Sequence, residues 1–169
     1  MTVSRRALAV SLLALAPAVN LYARSAAAAD CAPIVEAEMA TLEAPGFRQY
    51  MSSTAAGTTK ERLLSVALGD TVYIAMGGQR WQKMDRKEII ATAKEAAADA
   101  DYRDCRSLGS QPVGAVAAEG YAFTLDSKSH SFPSSRAKVW IGADGHVLKQ
   151  ATDNGTLRYE YDNVTPPIP

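Results

Sequence analysis

This chain is poor in the residues that most metal and redox sites are built from. Its 169 residues include two histidines and two cysteines. His130 falls in a polar loop and His146 in a turn, and neither has a carboxylate at ligand spacing, so both read as solvated turn residues and no metal site is expected. There is no C-x-x-C motif, so Cys31 and Cys105 lack the pattern of a redox pair. No phosphate loop or dinucleotide fingerprint occurs, and no cofactor is implied. A G-x-S-x-G elbow is also missing. Ser129-His130-Ser131 holds the atoms of a hydrolase site, but adjacency is not a triad, and no catalytic residue is assigned.

Long hydrophobic runs are missing too. The most apolar stretch, Ala7 to Val19, is broken only by Ser11 and Pro17. At about 13 residues it is too short for a membrane span, which needs about 20. Arg5 and Arg6 precede it, and Ser25 to Ala29 ends in an A-x-A pattern at Ala27 and Ala29. Residues 1–29 therefore read as a secretory signal peptide, cleaved after Ala29, and the protein as periplasmic or secreted. Ser4-Arg5-Arg6-Ala7-Leu8 partly matches a twin-arginine signal, which leaves that route and the general secretory route open. Asp30 precedes Cys31 where a lipid-attachment motif wants a small residue. No stable membrane anchor is expected after cleavage.

Residues 30–169 are expected to form a single α+β domain with a core of its own. They carry 15 basic against 18 acidic side chains, a net charge of −3. A mildly acidic surface speaks against nucleic acid and anionic membranes as partners. Two cysteines in an exported chain favour a Cys31–Cys105 disulfide bond.

The order of elements can be read from periodicity. Ala32 to Ala44 predicts a helix with Pro33 in its first turn and Val35, Met39 and Leu42 on one face. Pro45-Gly46 stops it. Phe47 to Met51, Lys60 to Leu68, Thr71 to Met76 and Arg80 to Met84 predict strands, with Ser52 to Thr59 as a polar loop. Asp85 caps a second helix running to about Ala100, with Glu88 three residues on. Its apolar stripe is Ile89, Ala93, Ala96, Ala97 and Ala100. Asp99 and Asp101 burden its C-terminal end, with Arg103 as the offsetting charge. Tyr102 to Leu108 predicts a strand broken by Gln111-Pro112 and Gly114. Ala115 to Leu125 predicts another, with a bulge at Gly120. Ser127 to Ser135 reads as a loop.

The clearest signals come last. Ala137, Val139 and Ile141 alternate with Arg136, Lys138 and Trp140. Ala143-Asp144-Gly145 fits a three-residue hairpin loop, and Asn154-Gly155 is a strong hairpin signal. Leu157, Tyr159 and Tyr161 alternate with Arg158 and Glu160, and Lys138, Trp140, Arg158 and Glu160 are expected to form an outer ladder. The fold class is α+β: a curved antiparallel β-sheet of about seven to nine strands, covered on one face by two helices.

Aromatic residues make up only 7% of the chain, so their concentration on predicted strands is informative. They suit either a filled core or a concave sheet holding an apolar ligand. The candidate ligand-binding residues are Tyr73, Met76, Trp81, Met84, Trp140, Tyr159 and Tyr161. Two segments, Y-I-A-M-G-G-Q-R-W-Q-K at Tyr73 to Lys83 and K-V-W-I-G-A-D-G at Lys138 to Gly145, carry a resemblance to small periplasmic proteins of the lipoprotein-carrier (LolA/LolB-like) half-barrel group. The closing Y-x-Y-D-N-V-x-P-P-I-P is similar to members of that group as well. The resemblance implies a curved antiparallel sheet with helices closing an apolar cavity. The functional expectation is a non-enzymatic, exported binding protein for lipid or an acyl chain. A protein-interaction module with a filled core and a hydrolase using the Ser127 to Ser135 loop are the alternatives.

Overall fold

A computed structural model describes residues 30–55, 58–75, 80–129, 133–153 and 155–167. The expected signal peptide, Met76, the Gly77-Gly78 turn, His130, Asn154 and the terminal Ile168-Pro169 lie outside the described residues. Among those described, the order is α1 (Ala32–Glu43), β1 (Gly46–Ala55), β2 (Thr58–Leu68), β3 (Thr71–Ile74), β4 (Gln82–Asp85), α2 (Arg86–Asp99), β5 (Ala100–Val113), β6 (Val116–Ser127), β7 (Ser135–Gly142), β8 (Val147–Thr152) and β9 (Gly155–Glu160).

The nine strands form one antiparallel sheet in the order β4-β3-β2-β1-β9-β8-β7-β6-β5. Two consecutive meanders, β1 to β4 and β5 to β9, are joined where β1 pairs with β9. Helix α2 runs without a linker from β4, at one edge, to β5, at the other. Laid flat, eight strand spacings would separate those edges by about 38 Å. A helix of 14 residues is about 21 Å long. The sheet must curl for so short a helix to join its edges, and the helices fill the concave side.

Each helix covers one meander. Ile34 and Ala37 of α1 pack with Cys105, Phe123, Ala137, Val139, Ile141 and Val147 of β5 to β7 and β8. Ile89 of α2 packs with Phe47, Ala67 and Val72 of β1 to β3. Tyr159, on the strand at the seam, touches both clusters.

Several sequence expectations are corrected. The buried face of α1 is Ile34, Ala37 and Thr41 rather than Val35, Met39 and Leu42. The Cys31–Cys105 disulfide fixes the rotation of the helix, and the Thr41 hydroxyl is satisfied inside. It accepts from the Val147 N–H at 2.8 Å and meets the Tyr161 hydroxyl at 3.2 Å; Tyr161 donates in turn to the Val147 carbonyl at 2.6 Å. On α2, Asp85 caps the Lys87 N–H at 2.7 Å, but Ala96 is exposed and the buried residue of the helix is Arg86. Much of the Ser52 to Thr59 segment is strand, because Thr54 pairs with Thr59 in the β1–β2 hairpin and Ser52 pairs with Thr156 of β9. Strand β5 runs past Gln111-Pro112 to Val113. Pro112 is tolerated there because β5 is an edge strand and needs no second ladder of donors.

Irregularities in the ladder aim side chains. Alternation from Tyr102, which packs on the inner cluster, would turn Cys105 outward. A register shift between Arg103 and Arg106, with Asp104 at φ 55°, inverts the alternation and brings Cys105 inside against Cys31. The expected bulge at Gly120 sits instead on its partner strand, around Gly109. A Cβ at Gly120 would stand 3.3 Å from the Trp140 Nε1 and 3.2 Å from the Leu108 Cβ, which explains the glycine.

Candidate functional site

Between the two helices and the inner face of β1 to β3 lies a cavity of about 450 Å³. It belongs to the range of about 300–1,000 Å³ usual for ligand pockets. Its walls are mostly aliphatic. Leu42 comes from α1, Ile89 and Ile90 from α2, Phe47, Leu64, Ala67, Val72 and Ile74 from β1 to β3, and Leu125 and Val147 from the second meander. Leu64 reaches the cavity because β2 slips register there: Ser65 faces Gln49 and Leu63 faces Tyr50, which leaves Leu64 unopposed. The bulge places two successive residues, Leu64 and Ser65, against the same space.

Polar groups gather on one part of the wall. Glu38 projects from α1, and its Oε2 accepts the Tyr102 hydroxyl at 2.5 Å, while Gln150 Nε2 stands 3.5 Å from Oε1. Gln49 donates to the Tyr159 hydroxyl at 2.7 Å and accepts the Ser65 hydroxyl at 3.0 Å. Burial raises the Glu38 carboxyl above its ordinary 4.5, against the opposing pull of the Tyr102 hydrogen bond. Burial also pushes the Tyr159 phenol up to about 12. Desolvation disfavours the charged form in both cases.

Arg86 also lines the cavity. Its guanidinium donates to the Leu42 carbonyl at 2.7 Å, to Gly69 at 3.1 Å and to Pro45 at 3.4 Å, and also to the Ala44 carbonyl. These are the carbonyls that end α1 and the turn before β3, and a buried cation there is matched by their partial negative charge. Sequence reading missed both Arg86 and Glu38. One signal was available for Arg86: a cation in the first turn of a helix opposes the helix dipole, so its place there calls for another reason.

The seven candidate ligand residues are dispersed. Tyr159 lines the cavity. Tyr161 packs beneath α1 through its bonds to Thr41 and Val147. Tyr73 lies under the Lys83 ammonium, 5.6 Å from the ring centre. Trp81 is half-buried outside the cavity wall, and Met84 is 39% exposed on an edge strand. Met76 lies outside the described residues. Trp140 is on the opposite face of the sheet, where its indole N–H donates to Gln111 at 2.9 Å and Lys149 lies 4.8 Å over the ring.

That opposite face carries a ladder. Lys149 pairs across to Trp140 on one side and to Arg158 on the other. Arg158 lies 4.3 Å over the Tyr50 ring and holds Glu61 through two bonds of 3.0 Å and Glu160 at 2.5 Å. Lys138 stays outside this ladder, opposite Ala122 and Ala151. Near the second helix end, Asp99 accepts the hydroxyls of Ser127 at 2.5 Å and Ser129 at 2.9 Å, and the Lys128 ammonium caps the Ala98 carbonyl at 2.8 Å. Those serines and Lys128 stabilise the end of α2, while Arg103 pairs with Asp101 at 3.4 Å as its place in the sequence implies. His146 meets Asp144 at 2.9 Å in the β7–β8 turn, and no group of three metal-ligating side chains occurs among the described residues.

Fold and cavity together define a class: a curled antiparallel sheet with helices on its concave side and an apolar chamber between them. No protein-family model matches the chain, and no curated protein does. Among solved structures it is similar to the crystal structure of the Mycobacterium tuberculosis lipoprotein LppX. The two are 12% identical over 82% of this chain and 96% of that one, with a TM-score of 0.47. The likeness is one of distant chain course.

Proposed function

We propose that this is an exported, non-enzymatic binding protein that holds a small apolar ligand, a lipid or acyl chain, in the chamber under its two helices. Residues 1–29 are its export signal, and residues 30–169 the binding domain. The observation that supports this reading is the cavity of about 450 Å³ with an aliphatic lining. An apolar space of that size left open forfeits packing energy that a filled core would keep, so a ligand is the natural occupant. The cross-link from Cys31 to Cys105 suits an oxidising compartment.

Binding of Nile red, an uncharged lipophilic dye, tests the reading. Saturable one-to-one binding with a blue-shifted emission is the expected result. The substitution Leu64→Trp places a larger side chain in the chamber and is expected to weaken that binding at least about tenfold while the circular dichroism spectrum is kept. Dye that binds the variant and the parent equally would place the site elsewhere and remove the proposal.

A further inference from the structure

The polar groups of the chamber are arranged for a particular kind of ligand end. Among the described residues, Glu38 is the only carboxylate on the wall. It accepts one short hydrogen bond, from Tyr102, and a long one from Gln150. A carboxyl group has about four acceptor positions, so acceptor capacity is left over. No cation among the described residues forms an ion pair with it. Arg86, the one cation on the wall among the described residues, spends its N–H groups on backbone carbonyls.

Tyr159 complements Glu38. Its hydroxyl accepts from Gln49 and retains its own proton for donation. The two residues share the chamber wall and offer it an acceptor and a donor. A ligand hydroxyl satisfies both, giving its proton to one and a lone pair to the other. A ligand carboxylate would bring a second negative charge beside Glu38 against a mostly apolar wall, where like charges are costly. An ammonium would have to give up its own hydration to pair with Glu38, a desolvation cost that a neutral hydroxyl carries to a far smaller degree.

We infer that the chamber selects an apolar molecule ending in a neutral hydroxyl, held between Glu38 and Tyr159, and discriminates against fatty acids of the same length. This rests on the apolar-ligand reading above and adds a choice of headgroup to it. Displacement of Nile red from the processed protein by 1-decanol, decanoate and decylamine at about pH 8, where free decanoate is ionised, tests it directly. Decanol is expected to bind at least about tenfold more tightly than decanoate. In Glu38→Gln, which keeps an acceptor for Tyr102 but removes the charge, the preference for decanol over decanoate is expected to shrink at least about fivefold. Tyr159→Phe supplies an independent check, since decanol should weaken about threefold without a gain for decanoate.

Equal binding of decanol and decanoate to the parent protein would overturn this inference and leave the apolar-ligand reading standing. Decylamine as the tightest of the three would overturn it in favour of a cationic ligand. If Nile red itself finds no saturable site, the apolar-ligand reading fails and the headgroup inference falls with it.

Discussion

Glu38 and Arg86 show how single side chains shape the chamber at opposite costs. Glu38 is an acid in an apolar setting, its carboxyl raised above 4.5 chiefly by burial. A raised value means the folded protein resists ionising this group. Its contribution to stability is therefore whole below the unfolded value and is lost as pH rises through the folded one. Glu38→Gln should melt higher than the parent at neutral pH, by about 3 °C. The difference should vanish below the ordinary carboxylate value of 4.5, and thermal melts at the two pH values check it. Arg86 works in the other direction. Replacing it by Met removes the donors of four backbone carbonyls, those of Leu42, Ala44, Pro45 and Gly69. A loss of about 3 kcal/mol or more is expected in urea unfolding. Arg86→Lys should recover only part of it, because an ammonium cannot span the same carbonyls as a planar fork.

At the scale of elements, α1 depends on its tether. Cys31 is the N-cap residue of the helix, and the disulfide carries it to β5 across a sequence separation of 74. Closing a loop of that length is worth about 4 kcal/mol on the chain-entropy model. Reduction should lower the melting temperature by about 10 °C and weaken Nile red binding, because α1 forms one wall of the chamber. Equal melts with and without reductant would show that the helix holds its place by packing alone. Periodicity located α1 and α2 well, since Pro33, Pro45-Gly46 and Asp85 act locally on the backbone. Which face of α1 turns inward was not legible. Val35, Met39 and Leu42 make the more apolar stripe, and the structure buries Ile34, Ala37 and Thr41. A hydroxyl that finds the Val147 N–H and Tyr161 is as much at home inside as a methyl group, and its partners are more than a hundred residues away in the case of Val147.

For the whole molecule, the seam between β1 and β9 decides whether two meanders make one body. Arg48 to Ser52 pair there with Glu160 to Thr156. Gly155 sits at its end with φ 146°, and a Cβ would meet the Ser52 carbonyl oxygen at 2.5 Å. Gly155→Ala should cost about 2 kcal/mol and loosen the seam first. Native-state hydrogen exchange should show β1 and β9 amides opening with the same free energy as those of β7 in the parent protein. In the variant the seam amides should open more easily than β7. A seam that already opens separately in the parent would mean that each meander is stable with its own helix.

The sequence by itself determined the class and order of elements, the helix caps, the β7–β8 turn, the inward set Ala137, Val139 and Ile141, and the cysteine pairing. Each is set by backbone propensity, by a period of two along a strand, or by there being only two thiols. Tertiary structure alone decided where the chamber lies. Of the seven aromatic and methionine candidates, Tyr159 lines it, because aromatic residues serve either face of a sheet and only the curl between β4 and β5 distinguishes inside from outside. The register slips that aim Leu64 and Cys105 inward are settled by pairing with distant strands. Glu38 gains its meaning the same way: on a helix it is one acid among several, and it becomes part of the polar wall of a chamber only when β5, β8 and β9 are brought against it.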